Sequence, residues 1–296
     1  MPQLDVNGLK IEFDTFGNDS GEAILLIMGL GAQMTTWSPE FCEALAKHGH
    51  YVIRFDNRDV GLSTKLDGAR SPHQMRYALN YFMKVPLGAP YTIRDMASDA
   101  AGVLDALSIS TAHVVGASMG GIIAQLMAVH YPQRVKTLTS IMSTSGARGL
   151  PQARRDVMQH IFMKRPKVGG RNALLEHSVQ SMKMIASPGF PRSEQEWRVL
   201  LSASLARSYY PQGFQRQLAA VVSDGSRVER LKKISRPTLV IHGREDPLVP
   251  VACGVDTARH IDGARLEIIE GMGHDIPPQL IDKLTNLIAS HVRDSA

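Results

Sequence analysis

Apolar positions along this chain change their rhythm repeatedly, and each change marks an element. Two short alternating segments open it, near Leu4–Val6 and Lys10–Phe16, with Asn7–Gly8 between them. Asn-Gly between alternating runs predicts a β-hairpin. Continuous apolar runs predict buried strands at Ala23–Met28, Tyr51–Phe55, Ala112–Val115, Val135–Met142, Pro237–Ile241 and Arg265–Ile269. Helical spacing predicts helices over 39–48, 93–107, Met119–His130 and Pro277–Val292, the last with proline in its first turn, where a helix tolerates it. Strands alternating with helices of this length imply a mostly parallel sheet with helices on both faces. The opening hairpin adds an antiparallel edge.

The alternation stops between about Ser145 and Lys233. That stretch reads as helical, with breaks at Lys167–Gly170 and Ser187–Arg192. The organisation expected is therefore a core of residues 1–144 and 234–296, with 145–233 as an inserted helical cap. Its methionines Met158, Met163, Met182 and Met184 either fill gaps between cap helices or face a flexible apolar pocket.

Composition narrows the class. The 296 residues are 44% hydrophobic and 21% charged, as in a soluble globular enzyme rather than a disordered chain. The net charge of +5 comes from scattered basic residues without a long run, which argues against a nucleic-acid partner. The start, Met1 to Lys10, has no basic stretch followed by an apolar one, so no signal peptide is expected, and Ala23–Met28 is far too short to span a membrane. Cys42 and Cys253 lie far apart outside any CxxC motif and suit free thiols in a reducing compartment. Cytoplasm is the location expected.

The chemistry is concentrated in a few motifs. Gly116-Ala117-Ser118-Met119-Gly120 is a G-x-S-x-G, preceded by the run Ala112–Val115 and followed by a predicted helix. A sharp strand-to-helix turn of this kind exposes a serine hydroxyl, and small neighbours let the chains approach. No Gly-Lys-Ser/Thr follows and no G-x-G-x-x-G is present here, so a phosphate or dinucleotide loop is a poor reading. Serine needs a base. His274, in Glu270-Gly271-Met272-Gly273-His274-Asp275, follows the last strand on a glycine-rich loop. Asp246, in Gly243-Arg244-Glu245-Asp246-Pro247, is the carboxylate expected to orient it. Glu245 and Asp275 compete for that role but are adjacent to other members and poorly directed. His242 reads as structural. The order Ser, acid, His along the chain fits this type of sheet enzyme.

Met28-Gly29-Leu30-Gly31 ends the third strand. Leu30 N–H and Met119 N–H are the oxyanion donors expected, with Gly29 or Gly31 replacing Leu30 if the register differs. Asp56, Arg58 and Ser63, after the fourth strand, suit a structural turn network. Trp37 reads first as a packing anchor. It also joins Phe82, Met83, Met158 and Phe162 as a candidate wall of a substrate pocket, Phe82 and Met83 falling in a second rim, 70–91, with Tyr77 and Tyr81. No zinc spacing is visible, and neither a metal nor a cofactor is expected.

Taken in order, MGLG, FDNRDVGLS, GASMGG, IHGREDPLVP and GMGHDIP resemble the α/β-hydrolase superfamily over about residues 10–143 and 235–293. They look most like esterases related to aclacinomycin methylesterase. The resemblance implies a helical cap and acyl transfer at Ser118. Many members carry His-Gly where this chain has Met28-Gly29. The activity expected is a serine carboxylesterase acting on a small to medium, largely apolar ester. A lactonase (acyl-homoserine-lactone type included), a cofactor-free perhydrolase or haloperoxidase, a C–C bond hydrolase and a non-catalytic ligand-binding member are the alternatives. Dehalogenation would need aspartate where Ser118 stands.

Overall fold

A computed structural model describes residues 2–72, 87–163 and 170–295. Its strands are β1 (Gln3–Val6), β2 (Leu9–Phe16), β3 (Glu22–Ile27), β4 (His50–Phe55), β5 (Ala112–Ala117), β6 (Val135–Ile141), β7 (Thr238–Gly243) and β8 (Arg265–Ile269). They form one sheet in the order β1-β2-β4-β3-β5-β6-β7-β8. The β1–β2 and β2–β4 pairs are antiparallel, and the rest are parallel. Asn7 and Gly8 form the predicted hairpin turn with φ of 51° and 77°, the conformation that favours Asn-Gly between two paired strands.

The strands β3 to β7 are buried on both faces, which is why their sequences run mostly apolar instead of alternating. Period 2 survives in where the side chains go. Ile24 and Leu26 of β3 join a layer with Phe41 and Leu45 of α1 (Pro39–Lys47) and Leu284 and Ile288 of α10 (Ile281–Arg293). Leu25 and Ile27 point the other way, toward Met96 and Leu104 of α2 (Ile93–Ala106) and Ile122 and Leu126 of α3 (Met119–His130). A Ser38 N-cap starts α1, and a Thr92–Asp95 capping box starts α2.

Between β6 and β7 the described residues are helical: α4 (Arg155–Met158) running into a π-helical turn (Gln159–Met163), then α5 (Gly170–Ile185), α6 (Glu194–Arg207), α7 (Pro211–Asp224) and α8 (Val228–Leu231). The break expected at Ser187–Arg192 separates α5 from α6. The second rim's Tyr77, Tyr81, Phe82 and Met83 lie outside the described residues. One helix was not anticipated: α9 (Val251–Arg259) joins β7 to β8, as a parallel pair requires. At the C-terminus Pro278–Leu280 form a 3₁₀ turn before α10 begins, so the predicted proline start belongs to that turn. Among the described residues no helix is long and apolar enough to cross a membrane.

Candidate active site

The loops after β3, β4, β5, β7 and β8 all leave the sheet at the C-terminal ends of parallel strands, where such sheets place their ligands. Ser118 follows β5 with φ 55° and ψ −119°, a backbone conformation costly for a residue with a Cβ. The motif's glycines explain how the turn closes. A Cβ on Gly116 would stand 2.1 Å from Gly120 O, and one on Gly120 would stand 2.0 Å from Ile27 O. The Ser118 carbonyl is held from beneath by the Ser143 hydroxyl at 2.9 Å.

His274 Nε2 lies 3.0 Å from Ser118 Oγ, and His274 Nδ1 lies 2.7 Å from Asp246 Oδ2. A carboxylate can only accept, so Nδ1 carries the proton and Nε2 presents its lone pair to the serine hydroxyl. Asp246 Oδ1 accepts the N–H groups of Leu248 and Val249 at 2.9 and 2.8 Å. Burial pushes the Asp246 carboxyl up, but attraction to the His274 ring, the nearby His242 ring and the hydrogen bond with His274 outweigh it and hold the group well below the usual carboxylate range. His242 Nε2 donates to Val249 O at 2.8 Å and lies 3.6 Å from Asp246 Oδ2, so this strand-end imidazole buttresses the loop.

The competing carboxylates are engaged elsewhere. Glu245 accepts Gly271 N–H at 2.6 Å. Asp275 Oδ1 accepts both the N–H and the hydroxyl of Ser187. Burial raises the Asp275 carboxyl above its ordinary range, with the Ser187 hydrogen bonds pulling the other way.

Gly29 packs directly on the serine: a Cβ there would stand 3.1 Å from Ser118 Cβ. Gly31 N–H is already donated to Gln217 Oε1 at 2.8 Å. Leu30 N–H and Met119 N–H donate to no protein acceptor among the described residues. Of the registers open at the MGLG loop, the one using Gly31 therefore loses its donor. Met119 opens α3, so its free N–H sits at the positive end of the helix dipole.

The DNRD turn does more than knit its own loop. Asp56 accepts Met34 N–H, Leu62 N–H and Arg207 Nη1 of α6 at 2.7, 2.8 and 2.7 Å. Asp59 forms a two-pronged pair with Arg216 of α7, both bonds at 2.8 Å. Arg58 pairs with Asp99 of α2 at 2.6 Å, and Ser63 hydrogen-bonds Asp56 O and Glu12 N–H. The turn is structural as expected, and the partners that sequence reading could not name are arginines on the helices between β6 and β7.

The pocket candidates divide. Trp37 is fully buried in the α1–α10 layer, its ring tilted against that of Phe41 at 5.0 Å, so it is a core anchor and not a pocket wall. Phe162 packs its ring 5.9 Å from that of Phe214, and Phe214 lies against Gly31. Met158 is half-buried at the end of α4. Phe82 and Met83 are outside the described residues. Among the described residues no group of three or more His, Cys, Asp or Glu side chains is placed to hold a metal ion.

Fold and motif order define the class. The chain matches the α/β-hydrolase fold family over residues 22–278 and belongs to it. It is 31% identical to rhodomycin D methylesterase DauP of a Streptomyces species, over 94% of this chain and 93% of that one. It is 27% identical to 3-oxoadipate enol-lactonase 2 of Acinetobacter baylyi, over 90% of this chain and 87% of that one. Among solved structures, the meta-cleavage product hydrolase of Pseudomonas fluorescens aligns with a TM-score of 0.78 at 19% identity, covering 100% of this chain and 98% of that one, a likeness of architecture.

Proposed function

We propose that this protein is a serine carboxylesterase that cleaves a small to medium, largely apolar ester through an acyl-enzyme. One observation carries the reading: a continuous hydrogen-bond line from Ser118 Oγ through His274 to Asp246, with spans of 3.0 and 2.7 Å. Ser118 Oγ attacks the ester carbonyl while His274 Nε2 takes its proton. The carbonyl oxygen becomes an oxyanion, received by Leu30 N–H and Met119 N–H. His274 then gives its proton to the leaving alcohol. A water molecule, deprotonated by His274, attacks the acyl-enzyme and frees the acid and Ser118. Asp246 stays ionised throughout and stabilises the imidazolium.

The helical segment 145–233 acts as the cap over this site, and Phe162 and Phe214 give it an aromatic wall beside the MGLG loop. That wall supports an apolar substrate. The likeness to a methylesterase supports a small leaving alcohol on a larger acid. A lactone is the second reading, favoured by the likeness to an enol-lactonase and served by the same triad.

The test is a substrate panel: p-nitrophenyl esters from acetate to laurate, methyl esters of aromatic acids, and lactones. The proposal expects ester turnover with a chain-length optimum and lower kcat/KM on lactones. Lactone turnover well above every ester would select the second reading. Silence across the panel would contradict both.

A further inference from the structure

The loop that carries His274 is held from two sides. Up to Met272 the core holds it: Glu245 accepts Gly271 N–H, and Glu245 N–H donates to Met272 O at 3.1 Å. The other partners come from the end of α5 and the turn that follows it. His274 N–H donates to Ile185 O at 2.7 Å. Gly273 N–H donates to Ser187 Oγ at 2.9 Å. Ser187 N–H donates to Asp275 Oδ1 at 2.9 Å, and the Ser187 hydroxyl donates to the same oxygen at 2.5 Å. Gly189 N–H reaches back to Gly271 O at 2.9 Å.

This clasp is close and dry. Ser187 is fully buried. A Cβ on Gly273 would stand 2.5 Å from Ile185 O, and one on Gly189 would stand 2.7 Å from Gly271 Cα. Each turn therefore requires glycine in the other. Ser187 sits at the centre, accepting from the residue before His274 and donating to the residue after it. No other side chain of the α5–α6 turn hydrogen-bonds both neighbours of His274 among the described residues.

We infer that Ser187, acting with Asp275, is a positioning residue for the base. It holds the Gly273 backbone on one side of His274 and the Asp275 carboxylate on the other, and so sets the reach of the imidazole to Ser118 and Asp246. The cap then has a second task besides walling the pocket: one of its turns is part of the scaffold of the triad. A base displaced by about 1 Å costs up to about a hundredfold in rate, which is why a bond on each flank matters. The inference rests on the reading of Ser118, His274 and Asp246 as a triad.

The experiment is the rate of covalent labelling by an alkyl fluorophosphonate. Ser118 Oγ bonds to phosphorus, fluoride leaves, and His274 takes the serine proton. The reading is the limiting first-order rate at saturating probe, the half-saturating probe concentration, and the melting temperature. Ser187→Ala is expected to slow the limiting rate by about ten- to a hundredfold, with half-saturation within about twofold of wild type. Ser187→Ala with Asp275→Ala is expected to be no slower than the slower single variant, because both cut one path. Labelling of Ser187→Ala at the wild-type rate would overturn the inference and leave the triad standing. If Ser187→Ala does not fold, Asp275→Asn and Asp275→Ala decide. Asparagine keeps the Oδ1 acceptor and is expected to lose clearly less rate than alanine, whereas equal losses would overturn the inference. A wild-type protein that is not labelled at Ser118 would overturn the triad reading, and this inference with it.

Discussion

Gln217 of α7 spans two loops of the core with one carboxamide. Its Oε1 accepts Gly31 N–H at 2.8 Å, and its Nε2 donates to Arg58 O at 2.7 Å. The side chain is fully buried. A helix of the segment between β6 and β7 thus fixes the loop that bears Leu30.

That contact yields a kinetic prediction. Gln217→Leu strands a buried N–H and a buried C=O, at about 1–3 kcal/mol each. The larger effect is expected on the MGLG loop, which loses its tether. kcat should fall by about ten- to a hundredfold with KM within about twofold. Binding of a trifluoromethyl ketone, which forms a tetrahedral adduct on serine, should weaken in step with kcat/KM. A lowered melting temperature with unchanged kcat would mean that Gln217 only packs.

The Asp59–Arg216 pair ties α7 to the DNRD turn in a pH-dependent way. Both are buried, and the pair is two-pronged. Burial pushes the Asp59 carboxyl up, but hydrogen bonds from Arg216 and Leu66 N–H overcome it and hold the group below its ordinary range. A depressed carboxylate adds stability above its unfolded pKa of about 3.9 and loses it as pH falls through the lower folded value. Asp59→Asn should therefore cost about 3–5 kcal/mol in urea unfolding at pH 7, since it leaves a buried guanidinium unpaired. The difference from wild type should shrink below about pH 4. Asparagine accepts the positive φ of 68° at this position, so backbone strain does not enter. A difference that is the same at both pH values would remove the ion pair from the explanation.

Neither cysteine should react in the folded protein. Burial pushes the Cys42 thiol up to about 12, with the nearby Arg54 charge only partly offsetting it. Burial raises Cys253 as well. The thiolate is the nucleophile, so iodoacetamide at pH 8 should leave both unmodified until denaturant is added, as read by intact mass. Rapid stoichiometric alkylation of the native protein would contradict the burial of these residues.

What the sequence made legible had local causes. Asn7-Gly8 announces its hairpin, and continuous apolar runs announce the buried strands. Gly116, Ser118 and Gly120 announce the turn after β5. Asp246 and His274 were picked out because each sits just past a strand end and their chain order fits, and the structure brings them together. What escaped depends on distance in sequence. Ser187 looks like any serine in a loop, and only the fold sets it beside Gly273 and Asp275. Gln217 is one polar residue on a helix, and nothing nearby in sequence points at Gly31. Arg207 and Arg216 look like solvated charge until Asp56 and Asp59 arrive opposite them. The missed helix α9 has a different cause. Val251, Val255, Thr257 and Gly254 all lower helix propensity, and Pro250 before it reads as a loop. Packing decides instead, with Gly254 letting α9 close onto the His242 ring. Trp37 was ambiguous because an aromatic near the MGLG loop suits either a core or a pocket, and burial alone separates them.

The central claim is that Ser118 is the nucleophile, and the most direct measurement is kcat/KM of Ser118→Ala against wild type on the best ester of the panel. The turn geometry does not depend on the hydroxyl, so the variant should fold with an unchanged melting temperature. The account predicts a loss on the order of 10⁶ in turnover, as in other serine triads. A folded Ser118→Ala that kept more than about a tenth of wild-type activity would contradict it, because a triad without its serine keeps only the residual of about 10³–10⁴-fold over water that binding and the oxyanion donors supply.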